Sequence, residues 1–267
     1  MRAARFVSEA QLVDALAAAQ FRLLGERHDN GVHHALRARW IGAIAQRGKR
    51  PAVVLEPFDL EHDDALRAAQ REAPDAERLA DGGRLNRKGW EWPLHRPIVD
   101  AALAAGLPVR AGNLSRERLR ERLQASTGSQ AFADVAWDAR QQALLSDEIV
   151  QGHCGKLPAE VVPRMVLGQR IRDDAMAQAL VDAASSDGAI LVAGNGHVRN
   201  DVGVPIYVRA RVPAARIVSV GLIEVAAGSE VSASRAASEQ PRYDYIVLTD
   251  AVARPDPCAS IPATIGR

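Results

Sequence analysis

The chain has 267 residues, which is enough for one large α/β domain or two small ones. Hydrophobic residues make up 47% and charged residues 25%, values that exclude a disordered or fibrous protein. Lys and Arg total 34 against 33 Asp and Glu, so the net charge of +1 gives no reason to expect nucleic acid or an anionic membrane surface as a partner. No stretch approaches the ~18 apolar residues of a membrane span.

The two cysteines and the N-terminus bear on localisation. Cys154 and Cys258 form no CxxC motif and no disulfide framework, which favours a reducing compartment, although a bond between the two stays open. Glu9 and Asp14 interrupt the first apolar stretch, and no cysteine near the start offers a site for a lipid. The sequence as written therefore predicts a cytoplasmic protein.

Apolar periodicity predicts alternating helices and strands from the start of the chain. Helices are predicted at 8–20, 29–46, 59–71 and 93–105. Strands are predicted at 21–26, 51–58 and 107–113. Pro57 is expected to end the second strand directly after Glu56. Turn residues and few apolar ones predict an irregular segment at 72–92.

The second half begins with a predominantly helical stretch. Helices are predicted at 115–124, 137–152 and 158–185, followed by a strand at 189–196. Three later segments alternate more like strands than helices, at 206–213, 216–225 and 243–250. The Ser- and Ala-rich residues 226–240 are predicted to form a loop.

Strands that alternate with helices indicate an α/β fold, with a mostly parallel sheet covered by helices on both faces. Neither an internal repeat nor a low-complexity linker divides the chain. We therefore expect a single domain over residues 1–267, with a helical insertion at about 115–185.

Two predicted strands end in the same motif, a glycine followed three residues later by a histidine. Gly25 precedes His28 in this way, and Gly194 precedes His197. A third strand ends in Glu56. Because ligands of open α/β sheets bind beyond the carboxyl ends of the strands, these side chains are expected to meet at one edge.

Histidines and carboxylates at one edge suit a divalent metal ion. We expect His28, Glu26, Glu56 and His197 to bind Zn²⁺, Mn²⁺ or Fe²⁺, or to act as acid and base groups in catalysis. The structural alternative is that Glu26 forms an ion pair with Arg27 and that the histidines cap loops.

At this point the sequence resembles a known family. The segments that carry the likeness are LLGERHDNGVHH (23–34), VVLEPF (53–58), LPVRAGNL (107–114), HCGKLP (153–158), GQRIRDDAMAQAL (168–180) and LVAGNGHVRNDVGVP (191–205). They resemble the ChaN-like haem-binding domain, which belongs to the Tiki/TraB/erythromycin-esterase-like superfamily. The resemblance implies an α/β fold, haem binding and a role in haem or iron handling. Members of the ChaN type are commonly exported lipoproteins, in contrast to the start of this sequence.

Haem needs axial ligands and cations for its propionates. The residues that we consider as ligands are His153, Cys154, Met176 and Tyr207, and the cations are Arg172 and Arg199. Several have a plainer alternative: Met176 as core packing, Cys154 as a small buried residue, His153 as a helix cap and Arg172 as an ion pair with Asp173.

Other histidines and tryptophans have weaker signals. His62 and His95 have no partner in the sequence, and we expect them on the surface. One residue of the pair at 33 and 34 is expected to face the same edge as His28. Trp90 and the nearby tryptophan at 92 either cover a flat ligand or anchor their loop.

The sequence favours a haem-binding protein of the ChaN type that binds or transfers haem rather than turning over a substrate. An exposed haem face invites a second subunit, so a homodimer is expected. The alternative is a metal-dependent hydrolase that uses the two histidines and Glu56, and a weaker one is a metal-free hydrolase with histidine as base.

Overall fold

The computed structural model describes residues 5–125, 135–226, 239 and 242–259. Its strands are β1 Phe21–Leu24, β2 Ala52–Asp59, β3 Val109–Asn113, β4 Ala189–Val192, β5 Ile217–Val225 and β6 Tyr245–Asp250. These strands form one sheet in the order β3-β2-β4-β1-β5-β6, and all of its pairings are parallel.

The helices connect the strands and flank the sheet. They are α1 Glu9–Ala18, α2 Gly31–Gln46, α3 Asp63–Glu72, α4 Ala76–Gly82, α5 Trp92–Ala104, α6 Arg116–Ala125, α7 Ala139–Gly152, α8 Val162–Ala183 and α9 Val204–Arg211. Within the part of the chain that the structure describes, no helix is both long and apolar enough to cross a membrane.

The core lies on both faces of the sheet, because successive side chains of a strand point to opposite sides. In β1, Leu24 packs into a cluster with residues of α1 to α5. Its neighbour Leu23 packs into a second cluster with residues of α8 and α9. This arrangement confirms the predicted α/β fold, with a parallel sheet and helices on both faces.

The predicted helical insertion is made of α6, α7 and α8. The middle and end of α8 pack against the sheet through residues such as Ile171 and Leu180. Its start instead forms a small cluster with α7, in which Val162 and Val166 contact Leu145. Part of the insertion is therefore integral to the main core, and the division into domains stays a prediction.

Two segments differ from the sequence-based prediction. Residues 206–213, expected as a strand, mostly belong to α9, which has Pro205 in its first turn and buries Val204, Tyr207 and Val208 at helical spacing. The stretch at 72–92 is less irregular than expected because it contains α4, whose first amides donate to the Asp75 side chain. The loop predicted at 226–240 lies almost wholly outside the described residues.

Strand β2 does not stop at Pro57. It continues to Asp59, although its register with β3 shifts between Leu55 and Asp59. Proline lacks an amide hydrogen for the ladder, which accounts for an irregularity there. Glu56 thus lies inside β2, three residues before the strand ends at Asp59.

Candidate functional site

A cavity of about 670 Å³ lies at the carboxyl edge of the sheet. Its wall includes both motif histidines and the strand acid, together with Trp90 and Arg172. The remaining lining residues are Asp29, Asp59, Asn86, Gly89, Glu91, Asn113, Leu114, Ser115, Arg116, Glu117 and Gln169. The structure thus brings His28, Glu56 and His197 to one cavity.

The sheet register explains this convergence. Val192 of β4 pairs with Leu24 of β1 on one side and with Leu55 of β2 on the other. The three strands therefore lie level at these residues, and Glu56 and the residues that follow β1 and β4 enter the same space. The parallel pairing of these strands brings together segments that are far apart along the chain.

The two motif glycines permit close approach of these segments. A Cβ at Gly194 would lie 3.2 Å from Nε2 of His28 and 3.8 Å from a carboxylate oxygen of Glu56. A Cβ at Gly25 would collide with the Asn195 side chain and lie 2.9 Å from the Val220 carbonyl oxygen. Glycine is therefore required at position 25, whereas a side chain at position 194 would push the His28 ring aside by a few tenths of an ångström.

His28 lines the cavity wall, and the buried side chain of Glu26 contacts its ring from the protein interior. Its Nδ1 lies 2.6 Å from Oε1 of Glu26. A carboxylate only accepts, so Nδ1 donates, and in the neutral ring the lone pair lies on Nε2. The side chain is 49% exposed, and its ring meets Trp90 edge-on with centroids 5.0 Å apart.

Glu26 is buried behind His28 and does not reach the cavity wall. It forms an ion pair with the buried Arg37 and lies 3.2 Å from Nδ1 of His34. Burial lowers the pKa of Arg37 to about 9, which leaves the guanidinium charged at neutral pH. The expected ion pair between Glu26 and Arg27 is absent among the described ion pairs, because Arg27 instead lies near Asp29 and Glu224.

His197 is clamped between two acids. Its Nδ1 lies 2.5 Å from Asp173 Oδ1, and its Nε2 lies 3.3 Å from Glu56 Oε1. Burial opposes the charge on His197, but the two carboxylates outweigh it and raise the pKa of the imidazole. Burial alone would raise the pKa of Glu56 too, yet His197 and the Gly194 amide, 2.8 Å away, bring that pKa down.

Asp173 responds in the opposite direction to Glu56. Burial raises the pKa of Asp173 to about 6 despite the attraction of His197. Both ring nitrogens of His197 face carboxylates, so the imidazolium form has neither nitrogen lone pair available to a metal.

The predicted metal set does not converge on one point. Glu26 pairs with His28, while Glu56 pairs with His197. Among the described residues, the group whose ligand atoms all lie within 4.8 Å of one another is Glu26, His34 and His95. Arg37 contacts that same Glu26 carboxylate, and its positive charge disfavours a cation there.

His95 is a residue that the sequence reasoning placed on the surface. It is 3% exposed and lies in ring contact with His34 and Trp90. Burial lowers its pKa to about 2. Its Nε2 has no hydrogen-bond partner among the described residues. The apolar spacing of α5, with Trp92, Ile98 and Val99 also buried, was the available signal.

His34 and its neighbour are both buried at the start of α2. His34 donates from Nε2 to the His28 carbonyl oxygen at 2.8 Å. His33 accepts from the Arg27 amide and contacts Thr249 Oγ1 through Nε2 at 2.8 Å. Neither lines the cavity; both instead hold the loop that carries His28.

The tryptophans divide the two roles expected of them. Trp90 lines the cavity. Trp92 is buried, and its Nε1 donates to Glu77 at 2.9 Å, so this residue anchors the segment.

The structure corrects the placement of His153 and Cys154. His153 caps α7, with Nδ1 donating to the Ile149 carbonyl oxygen at 2.7 Å. Cys154 forms a disulfide with Cys258, their Cα atoms 5.7 Å apart. A disulfide sulfur is not a thiolate, so Cys154 as it stands is no haem ligand.

Three further candidates for haem binding also lie elsewhere. Met176 and Tyr207 are both 0% exposed within the core between α8, α9 and the sheet. Arg199 is 2% exposed and forms ion pairs with Glu148 and Asp201. Their positions on buried helix or loop faces keep all three from the cavity wall.

Of the six residues expected to bind haem, Arg172 alone lines the cavity. Its Nη1 donates to Asn113 Oδ1 at 2.6 Å and to the Leu114 carbonyl oxygen at 2.9 Å. Arg116, exposed at the start of α6, is a second arginine on the wall, which the sequence reasoning did not single out.

Comparison with solved structures found chains that are similar to this one. The structure described as cofacial haem binding to ChaN of Campylobacter jejuni matches with a TM-score of 0.74 and 21% identity, over 90% of this chain and 91% of that one. A succinoglycan biosynthesis protein matches at 0.49 and 11%, over 80% of this chain and 68% of that one. The erythromycin esterase EreC matches at 0.44 and 14%, over 82% and 72%.

No curated protein sequence matches this chain. The family model described as haem-binding uptake, Tiki superfamily, ChaN matches residues 12–208. That span includes both glycine–histidine motifs, Glu56 and the whole cavity wall. The chain belongs to the ChaN family of haem-binding proteins in the Tiki superfamily.

Proposed function

We propose that the cavity binds haem and that the protein acts in haem or iron uptake or handling, by binding or transfer. The observation that carries this proposal is the half-exposed His28 beside Trp90 on the cavity wall, in a chain of a haem-binding family. The description of the Campylobacter jejuni structure, which names haem bound to ChaN, supports it.

Part of the lining suits a porphyrin, although five carboxylates also lie on the wall. A cavity of about 670 Å³ is within the usual range for small-molecule and cofactor sites. Trp90 and Leu114 offer apolar surface, while Arg116 and Arg172 offer charge for the propionates. When bound, haem would supply an iron centre, and the protein's levers on it are ligand, hydrogen bonding and burial.

A homodimer is part of the proposal. A flat ligand bound at an open cavity leaves one face in contact with solvent, and a second copy of the chain would cover it. If haem drives pairing, the mass measured by light scattering doubles when hemin is added. A monomer at saturating hemin would leave binding intact but remove the dimer from the proposal.

We also propose an oxidising compartment in place of the cytoplasm expected from the sequence. The Cys154–Cys258 disulfide supports this, because such bonds are rare where glutathione keeps thiols reduced. Alkylation of the two thiols in intact cells, followed by mass spectrometry, tests it. Free thiols in the native host would return the protein to a reducing compartment.

A metal-dependent hydrolase is the second candidate function. The acidic lining favours it, since Asp29, Asp59, Glu91 and Glu117 surround the two histidines and Glu56. Carboxylates and imidazoles suit Mn²⁺ and Zn²⁺. The failure of the predicted ligands to converge weighs against it.

The deciding experiment is a hemin titration of the purified protein, followed by absorption in the Soret region, beside metal analysis of the protein as isolated. We expect a saturable Soret shift. Trp90→Ala should weaken hemin binding about 10-fold, because the ring supplies apolar contact. Trp137→Ala is the matched control, a half-buried tryptophan outside the cavity. No shift, with stoichiometric bound metal, would favour the hydrolase.

A further inference from the structure

We propose that the Cys154–Cys258 disulfide is a reversible redox site, and that its state reaches the cavity wall through the segment that follows β6. This segment is residues 251–259, which we call the strap. Arg254 of the strap contacts the wall through Asp29. The two cysteines lie outside the cavity lining, and the role of the bond requires no bound ligand.

The disulfide lies at the surface, where a reductant can reach it. Cys154 and Cys258 are both partly exposed, and their neighbours Gly155 and Ala259 are exposed. Lys156 donates from Nζ to the Cys258 carbonyl oxygen at 2.8 Å, so a cation lies close to the bond. A nearby cation favours the thiolate, the form in which a cysteine takes part in thiol–disulfide exchange. The surroundings therefore suit exchange with a dithiol.

The backbone at Cys154 is one that glycine usually adopts. Cys154 has φ +58°, in the left-handed region that is unfavourable for a residue with a side chain. Its amide donates to the Gln151 carbonyl oxygen at 2.9 Å, just beyond the last turn of α7. Glycine is the common residue where a helix ends in this way. Cysteine meets this cost at a position where its sulfur forms the bond to the strap.

The strap has no apolar anchor among the described residues. None of its side chains whose burial the structure describes is buried, and none belongs to an apolar cluster. The Ala251 amide donates to the Val225 carbonyl oxygen at 2.9 Å and so continues the pairing of β6 with β5. Beyond Ala251, the disulfide and polar contacts hold the strap. A segment with few buried contacts opens locally at low cost once its covalent tie is lost.

Arg254 ties the strap to the loop that carries His28. Its guanidinium donates to Asp29 at 2.7 and 3.0 Å and to Glu224 of β5 at 2.6 and 2.7 Å. Asp29 lines the cavity directly after His28, and Glu224 accepts from Asn30, the N-cap of α2. The Glu224 side chain is only 9% exposed, so this ion pair is better shielded from water than a surface pair. The strap thus holds a charged residue of the wall and the start of α2.

Reduction removes this tie. A dithiol gives two electrons and two protons to the protein, whose disulfide breaks into two thiols while the dithiol closes its own disulfide. The freed strap then opens, and Asp29 and Glu224 lose Arg254. Arg27 stays near them in longer contacts, at 3.5 and 3.7 Å. Reduction therefore leaves the charge of Asp29 less compensated at the wall and loosens the loop that carries His28.

Hydrogen exchange followed by mass spectrometry tests this coupling without a ligand. Reduction of the wild type with dithiothreitol should speed exchange about 10-fold in peptides covering the strap and residues 27–33, because hydrogen bonds between charged groups are lost. Reoxidation should restore the protection. Helix α3 is the internal control, since it packs against β3 at the opposite edge of the sheet from β6. It should exchange equally in both states.

Arg254→Gln separates the ion pairs from the covalent bond. With the disulfide intact, this variant should also speed exchange at 27–33. Arg67→Gln is the matched control, because it removes a half-exposed arginine from an ion pair with Asp64 on α3, and it should leave 27–33 unchanged. If reduction unfolds the whole chain, α3 exchanges as well, and the oxidised Arg254→Gln protein then decides.

Two results would overturn the proposal. A strap that stays protected after alkylation has shown both thiols to be free would mean that the bond does not hold it. Exchange at 27–33 that does not change in oxidised Arg254→Gln would mean that the strap does not act on the wall through Arg254. Neither result depends on hemin, so haem binding stands or falls separately by its Soret titration.

Discussion

His197 Nε2 lies 3.3 Å from Glu56 Oε1, although Glu56 belongs to β2 and His197 to the turn that follows β4. The contact joins the second motif to the acid of β2, and Asp173 of α8 completes the clamp from the other side. The arrangement accounts for a charged, mostly buried histidine beside a half-exposed one, His28, in the same cavity.

The first prediction concerns the alkaline limb of stability. Because the clamp raises the folded-state pKa of His197 to about 10, the stabilisation is complete below the unfolded value of about 6.5 and is lost as pH rises towards 10. Urea unfolding of the wild type and His197→Gln should show a stability difference that is largest near pH 6 and shrinks by pH 10. His62→Gln, at a histidine outside the cavity, is the matched control. A His197 difference that grows with pH would contradict the clamp.

The second prediction concerns the disulfide. Cys154 and Cys258 are 104 positions apart, and closing such a loop restricts the unfolded chain. The double Cys→Ser variant should be less stable by about 2–4 kcal/mol, measured by chemical denaturation. Reductant should lower the stability of the wild type and leave the variant unaffected. Equal stability of wild type and variant would show that the bond contributes little.

The third prediction concerns the motif glycines. Gly194→Ala would place a methyl group 3.2 Å from the His28 ring, so we expect weaker hemin binding and an altered Soret band in a folded protein. Gly25→Ala should be strongly destabilising, because its neighbours are backbone and buried side chains. Gly42→Ala is the control: nothing lies within 4 Å of its Cβ position in α2. There the change should be neutral or stabilising by up to about 1 kcal/mol. Normal hemin binding by Gly194→Ala would argue against close packing of the two motifs.

The fourth prediction concerns the buried histidines. His95 is neutral and has an unpartnered Nε2 among the described residues, so His95→Phe should be tolerated or stabilise the fold by about 1 kcal/mol. His34→Phe should instead destabilise it by about 2 kcal/mol, because it strands the His28 carbonyl and Arg37 partners. Thermal melts of the two variants, compared with the wild type, test both expectations. A large loss of stability in His95→Phe would indicate a bound partner at Nε2.

Local patterns predicted the elements that lie around the cavity. Short apolar runs before Gly25, Glu56 and Gly194 predicted the three strands, and the alternation with helices predicted a parallel sheet. From that sheet alone it followed that His28, Glu56 and His197 share an edge. The strand predicted at 206–213 was wrong. Its apolar residues alternate as in a strand, but they also have helical spacing, and Pro205 favours the start of a helix there.

Pairings between distant segments were beyond the reach of the sequence. The burial of His95, the clamp of Asp173 on His197 and the disulfide each depend on how α5, α8 and the C-terminal segment pack. Met176 and Tyr207 illustrate the same limit. The sequence did not show whether their side chains face the core or the cavity, and the structure places both in the core.

The amino-acid sequence by itself determined the sheet, its covering helices and the two glycine–histidine motifs, because apolar periodicity and glycine placement act over a few residues. The tertiary structure decided which histidine is free. Glu56 and Asp173 enclose His197 on two sides, whereas Glu26 supports His28 from one side only. A histidine ring nitrogen has an available lone pair only when it is unprotonated. Its protonation depends on partners that only folding brings within hydrogen-bond distance.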